Sequence, residues 1–419
     1  MSVGKTSTRV AFILLTSLFF LWGFVHNLDP ILIPHLKKAF SLSTLEAALV
    51  DSSIFIAYFF MALPAGLFIR KYGYKKTMLA GLLFFAVGSF LFVPAAETRL
   101  YVFFLGALFV IGCGLALLET AANPYAALLG DPATASRRLN FAQAFNGLAV
   151  TVAPIIGASF ILTRDVPQEV LNRMTPVARE AALAAEASSV QLPYSIIGAV
   201  IILVAFLFLQ IDIPDIREKD KSAPNWQMLV NTWQIPHLRH AVWTQFFYVG
   251  AQVCVNSLFI LYAARSAHLN KNTAATYLGI GYGVSFMLGR FIGTFIMRWI
   301  PAARLLTIYA VLNIVCCLLA VYLQGMQALY AVFAISFFMS IMFPTIFSLG
   351  IEKLGAHTEM GSSMIVMAIV GGGILPLVFG FITDLTGNIQ YGYYVPLVCF
   401  IVVAWFGWRG HLIQKKPAV

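Results

Sequence analysis

Stretches of about 20 residues with almost no charge follow one another along nearly the whole chain, and this succession decides what the chain can fold into. They lie near residues 10–35, 45–69, 77–95, 100–129, 138–163, 191–211, 238–264, 273–298, 304–323, 328–353, 360–385 and 391–412. Each is long enough to cross a hydrocarbon core as a helix, since a helix rises about 1.5 Å per residue. Of the 419 residues, 60% are hydrophobic and only 11% charged, against roughly 25% charged in soluble domains, which excludes a water-soluble core. The expected fold is an all-α membrane protein of twelve transmembrane helices. An even number puts both termini on one side.

Basic residues assign that side, because Lys and Arg in short loops are retained in the cytoplasm during insertion. With the termini inside, Lys5, Arg9, Arg70, Lys71, Lys75, Lys76, Arg137, Arg138, Arg217, Lys219, Lys221, Arg239, Arg298, Arg304, Lys353, Arg409, Lys415 and Lys416 are cytoplasmic. Lys37, Lys38, Arg99, Arg164, Arg173, Arg179, Arg265 and Lys271 remain outside. The net charge of +10 is therefore an effect of membrane sidedness. A nucleic-acid partner would need a basic soluble face, and none is expected. Cys113, Cys254, Cys316, Cys317 and Cys399 all fall in apolar segments and read as small core residues. Residues 1–9 run into the first helix with no small-residue cleavage site, so no removable signal peptide is expected.

A polar run from Asp212 to Pro236, with Asp212, Asp215, Arg217, Glu218, Lys219, Asp220 and Lys221, divides six helices from six. The expected domains are an N-terminal six-helix bundle, 1–211, a cytoplasmic linker, 212–236, and a C-terminal six-helix bundle, 237–419. The halves carry a weak repeat. The fourth segment breaks at Asn123-Pro124 and the tenth at Phe343-Pro344, an offset of 220 residues. Pro154 in the fifth and Pro376 in the eleventh are offset by 222. Six intervening helices give both copies the same orientation, a parallel repeat about an axis along the membrane normal. The loop Gly66-Leu-Phe-Ile-Arg70-Lys71-Tyr-Gly73-Tyr-Lys75-Lys76 resembles the glycine-and-basic cytoplasmic loop of the major facilitator superfamily, with Arg70 where an acid is usual. Gly289-Arg290, Gly293 and Arg298 form a related set after the eighth helix, where the repeat calls for it.

A carboxylate inside a bilayer costs at least about 2.5–3.5 kcal/mol, so each one needs a partner or a task. Asp29, Asp51 and Glu119 stand out. Glu119, about ten residues before the end of segment four, and Asn146, about eight after the start of segment five, come at about the same depth and can face one cavity. Asn123 lies one turn below Glu119, while Asn140, Gln143 and Asn146 repeat every third residue as a polar stripe. Asp29 and Asp51 flank the first outer loop at a shared depth, which suits a bound cation such as Na+ or a shared proton. Gln245, Tyr248, Gln252 and Asn256 share one face of the seventh helix. Such amides and a phenol match a polyhydroxylated ligand, while an apolar one would leave them unsatisfied. Trp22, Phe24, Tyr58 and Tyr282 are candidate stacking or packing aromatics, and Gly371-Gly372-Gly373 marks a flexible or tightly packed point.

The chain resembles the fucose permease branch of the major facilitator superfamily of sugar symporters. The matching stretches are Phe20-Leu21-Trp22 with Asn27-Leu28, Leu118-Glu119-Thr120-Ala121-Ala122-Asn123-Pro124, Asn140 with Ala142-Gln143 and Phe145-Asn146, Tyr248-Val-Gly-Ala-Gln252, Pro344 through Gly350, and Gly361-Ser-Ser with Gly371-Gly-Gly-Ile374. The resemblance implies a major facilitator fold and an alternating-access symporter for a monosaccharide. It also implies a helix-four glutamate, here Glu119, recognising sugar or carrying coupling charge, and a helix-five asparagine, here Asn146, contacting sugar. The branch places its helix-one aspartate where this chain has Pro30, next to Asp29, and Asp51 replaces an amide-type residue. Sodium and proton coupling therefore both stay open.

The expected protein is a monomeric, multi-pass symporter of a bacterial inner membrane, importing glucose, galactose or fucose with Na+ or H+. Glu119, Asn123, Gln143, Asn146, Gln252 and Asn256 would bind the sugar, and Asp29, Asp51 and Glu119 would hold the coupling ion, with any Na+ at Asp29 and Asp51. The coupling ion is the only cofactor expected, and the partners are the sugar and the lipid bilayer. The rival transporter reading is a proton-antiporting exporter of sugars or drugs. A membrane enzyme is not expected, because His237 and His240 lack an acidic partner at metal-ligand spacing.

Overall fold

A computed structural model describes residues 5–28, 32, 35–36, 39–40, 44–161, 166, 168–211 and 226–413. Among the described residues there are helices and no strands. Backbone N–H and C=O groups find no water in hydrocarbon, and a helix satisfies them within its own segment. We number the membrane helices α1 (Lys5–His26), α2 (Thr44–Tyr72), α3 (Tyr74–Thr98), α4 (Tyr101–Leu128), α5 (Ala135–Ile161) and α6 (Gln191–Gln210). They continue with α7 (Pro236–Ser257), α8 (Val284–Ile296), α9 (Ala302–Tyr322), α10 (Gly325–Gly350), α11 (Gly355–Thr386) and α12 (Ile389–Gly410).

Among the described residues nine helices are long and apolar enough to span a membrane, and α7 makes a tenth when joined to Phe259–Ser266, which continues it after a 52° bend. Helix α1 is apolar over a shorter stretch, Phe12–His26. Helix α5 has the length, but Ser136, Arg137, Arg138, Asn140, Gln143 and Asn146 make it polar. With these two the bundle has the twelve helices expected. A further helix, Pro176–Ser188, precedes α6 and is tied to the end of α3 by an Arg99–Glu180 ion pair. The linker residues 212–225 and the acidic residue Asp29 lie outside the described residues, as does the side chain of Asp51.

Each set of helices packs mainly within itself. Helix α4 packs on α2 and α3, α1 on α5, and α6 on α3; α7 packs on α11 and α12, and α9 on α10 and α12. Residues such as Leu203 and Phe206 on α6, 57% and 55% exposed, point outward, where lipid rather than water covers them. The two sets meet along two seams, α2 against α11 and α5 against α8, with α10 against α5 and α11 against α4 between them.

The prolines behave differently from one another. Helix α4 runs unbroken through Pro124, against the break expected there. Helix α10 is interrupted at Ser340–Ile341, four residues before Pro344. Proline lacks an N–H and its ring crowds the carbonyl four residues earlier, so the carbonyl of Ser340 is left without a partner in its own helix. The triple glycine proves to be a packing device: a Cβ on Gly371 would strike the backbone carbonyl of Phe246, and one on Gly372 would come 2.8 Å from Phe55.

Candidate functional site

A cavity of ≈ 140 Å³ opens between the N-terminal and C-terminal helices. One water needs roughly 10–15 Å³ on this measure, so the space suits a small polar molecule. The N-terminal set contributes Trp22, His26, Asn27, Tyr58, Glu119, Gln143 and Asn146; the C-terminal set contributes Gln252, Asn256, Phe286, Arg290 and Phe343. Polar groups fixed on helices and faced by aromatic and aliphatic walls form the usual chemistry of a small-molecule site.

Glu119 comes from the middle of α4, where the side chain of Tyr58 on α2 hydrogen-bonds it. Its Oε2 is buried without a hydrogen-bond partner. Among the described residues it is the acidic residue in the cavity lining, and it forms no ion pair. A buried carboxyl oxygen left open in this way is a place for a ligand hydroxyl or a proton.

The stripe on α5 divides its labour. Asn140 is fully buried and donates to Thr345 Oγ1 on α10 at 3.0 Å, so it joins the two sets instead of lining the cavity. Gln143 donates from Nε2 to Asn123 Oδ1 at 2.9 Å. Asn123, expected to bind substrate, is fully buried behind Gln143 and absent from the lining; its contact orients that side chain. Asn146 faces the cavity, and α1 approaches it closely at Gly23. A Cβ there would lie 2.6 Å from Asn146 Nδ2 and 3.1 Å from its Cα, so only glycine leaves the asparagine where it is.

On α7 the expected polar face reaches the cavity only through Gln252 and Asn256. Tyr248 is buried and donates to the carbonyl of Met339 at 3.1 Å, while Gln245 is buried with both amide atoms unpartnered. Trp22 and Tyr58 line the cavity; Phe24 and Tyr282 do not.

The residue that sequence reasoning misplaced is Arg290. Gly289 and Arg290 lie inside α8, not in a loop after it, and Arg290 is 3% exposed. Its Nε donates to Ser340 O at 2.6 Å and its Nη1 to Gln143 O at 2.9 Å. The guanidinium lies 4.5 Å from the centre of the Phe286 ring. Gly289 permits this, because a Cβ there would run into the carbonyl of Phe337 and come 2.7 Å from Ser340 Oγ. Arg290 thus ties α8 and α10 to α5 and brings a positive charge to the cavity that holds Glu119. The signal was available: an arginine within an apolar span is a functional candidate by default.

Further hydrogen bonds join the two sets towards the end carrying the α4–α5 and α10–α11 loops. Ser136 Oγ and Ser348 Oγ lie 2.6 Å apart, and Arg70 Nη1 donates to Ala356 O at 3.1 Å. Together with Asn140–Thr345 they close the bundle beneath the cavity.

An all-helical membrane bundle with polar groups from both of its helix sets around a cavity that is sealed at one end is the architecture of a transporter that exposes its site to one side at a time. The chain belongs to the Major Facilitator Superfamily, whose sequence profile matches residues 10–374, and it is a transporter and not an enzyme. It is 41% identical over 402 residues to the L-fucose-proton symporter of Escherichia coli (strain K12), covering 94% of this chain and 91% of that protein. It is 40% identical over 398 residues to the glucose/galactose transporter of Brucella abortus biovar 1 (strain 9-941), with 94% and 93% covered. Among solved structures it is similar to the major facilitator transporter FucP in the outward conformation, with a TM-score of 0.89, 40% identity, and 98% of this chain and 100% of that chain covered.

Proposed function

We propose that this chain imports a hexose together with a proton across a bacterial inner membrane. The single observation that carries the reading is the cavity in which Glu119, with one carboxyl oxygen unpartnered, faces amides from both helix sets. A sugar presents several hydroxyls that both donate and accept, matching Gln143, Asn146, Gln252 and Asn256. Arg290 supplies donors only, and Glu119 accepts when ionised and donates when protonated. The names of the relatives, a fucose–proton symporter and a glucose/galactose transporter, support a monosaccharide cargo and proton coupling.

In this reading the N-terminal bundle, 1–211, and the C-terminal bundle, 237–419, rock about the sugar, with both termini and the 212–236 linker in the cytoplasm. The contacts beneath the cavity keep the cytoplasmic end closed while the site faces outward. Proton and sugar shift the equilibrium towards the inward state only by binding that state better. Gln143, Asn146 and Glu119 hold the sugar from one side and Gln252 and Asn256 from the other, so a bound sugar draws the two sets together. Asn123 and Tyr58 position Gln143 and Glu119. The protein acts as a monomer, since one chain carries the whole site.

The test is uptake of labelled fucose, glucose and galactose into proteoliposomes under imposed gradients. An inward proton gradient should drive accumulation in choline buffer without sodium. Accumulation that requires sodium and ignores the proton gradient overturns proton coupling and moves the ion to Asp29 and Asp51. Absence of hexose transport under either gradient overturns the cargo.

A further inference from the structure

A second cavity, of ≈ 380 Å³, lies at the α5–α8 seam and is lined by Phe12, Arg137, Arg138, Phe141, Phe291, Thr294, Phe295 and Arg298. Among the described residues it shares none with the central cavity. Its walls are aromatic and outward-facing, with Phe141, Phe291 and Phe295 being 42%, 38% and 49% exposed, and among the described residues no acid lines it.

Its three arginines are not equivalent. Arg138 is spent within its own half: it donates to the carbonyls of Ala126, Ala127 and Asp131 and to Thr134 Oγ1. Arg137 and Arg298 are exposed, and their side chains make no hydrogen bond or ion pair among the described residues; the Arg298 guanidinium lies 4.7 Å over the ring of Phe295. Arg137 sits at the start of α5 and Arg298 just past the end of α8, so the two free guanidiniums belong to opposite helix sets at the expected cytoplasmic end.

Two unpaired guanidiniums at the lip of an aromatic groove that faces lipid match one ligand chemistry. Phosphate oxygens accept paired N–H donors from arginine, and acyl chains cover the exposed rings. We propose that this groove binds the headgroup of an anionic phospholipid of the inner leaflet, with the phosphate between Arg137 and Arg298. A headgroup held by one arginine from each set has differential affinity for the arrangement in which the seam is closed. Anionic lipid therefore favours the state with the cytoplasmic end shut.

The test compares wild type with the double variants R137Q/R298Q and R137K/R298K in phosphatidylcholine vesicles with and without phosphatidylglycerol. Both positions are exposed, and the lysine pair keeps the charge if the glutamines perturb folding. Native mass spectrometry should show retained phosphatidylglycerol on the wild type and the lysine variant, reduced several-fold in the glutamine variant. A reporter cysteine at Ala127, near the closed end, should be labelled several-fold more slowly by maleimide when phosphatidylglycerol is present, except in the glutamine variant. Equal retention in all three proteins, equal retention of phosphatidylcholine, displacement by inorganic phosphate, or labelling indifferent to phosphatidylglycerol in the wild type overturns the proposal.

Discussion

Arg290 takes the carbonyl that Pro344 leaves open: Nε donates at 2.6 Å to Ser340 O, four residues before the proline. The proline breaks α10 where an arginine needs an acceptor, and the arginine satisfies a backbone group that would otherwise be buried unpaired. The same guanidinium reaches across to Gln143 O, so a break in one helix becomes a tie between the two sets. The arginine needs both ends of its planar fork for this, and lysine offers a single point of charge. Losing one charge-assisted hydrogen bond costs about 1.5–3 kcal/mol. R290K should therefore lower hexose uptake roughly ten- to hundredfold with the protein still folded, measured as initial uptake rates against protein detected in the membrane.

Pro344→Ala should lower transport without raising stability. The break already accommodates the proline in the first turn of Met342–Gly350, and alanine there strips the buried Arg290 of an acceptor worth about 1.5–3 kcal/mol, so the midpoint of thermal unfolding in detergent should not rise. Because alanine returns Ser340 O to its helix and takes it from Arg290, uptake should fall. A variant that is both more stable and fully active would sever the link between the break and the guanidinium.

Glu119→Gln keeps the size of the side chain and removes its ability to exchange a proton. In proteoliposomes it should keep sugar counterflow, which needs binding and rocking alone, and lose accumulation against a gradient. Wild-type accumulation should rise as the outer solution is acidified, and the glutamine variant should respond weakly or not at all. Retained pH-driven accumulation would move the proton to another group.

Gly23→Ala tests how Asn146 is held. The added methyl would lie 2.6 Å from Asn146 Nδ2, and forcing a methyl into a packed interior costs about 1–3 kcal/mol. If the strain is relieved by displacing the asparagine, KM for the sugar should rise several-fold with little change in the amount of protein made. Unchanged KM would show the asparagine to be irrelevant to binding.

Asn140→Ala removes the hydrogen bond to Thr345 Oγ1 and should loosen the closed end. A neutral hydrogen bond contributes about 1 kcal/mol, which corresponds to about a fivefold change in population. Maleimide labelling of a cysteine introduced at Ala127 should quicken by that order. The native background is low, because all five native cysteines are buried.

Much of the fold was legible because a bilayer demands long, charge-poor helices, and their number follows from counting. The meeting of Glu119, Gln143, Asn146, Gln252 and Asn256 in one cavity was partly legible too, since depth along a straight helix is simple arithmetic. Depth does not give the direction in which a side chain points, and Asn123, Gln245 and Tyr248 were placed on the right elements but turned out to sit behind the cavity wall. Arg290 was read as part of a cytoplasmic loop because glycine followed by a basic residue matched a pattern seen earlier in the chain. Nothing local in the sequence announces that the acceptor for its Nε is a carbonyl fifty residues away, released by a proline.

The seal beneath the cavity is made by the protein's own side chains, whereas at the cavity it is the cargo that must bridge the two sets. A sugar mimic that satisfies Glu119 and Asn146 but has nothing to offer Gln252 and Asn256 would settle in one wall and leave the other standing off. Such a compound would be an inhibitor by omission, occupying the vestibule without ever being carried.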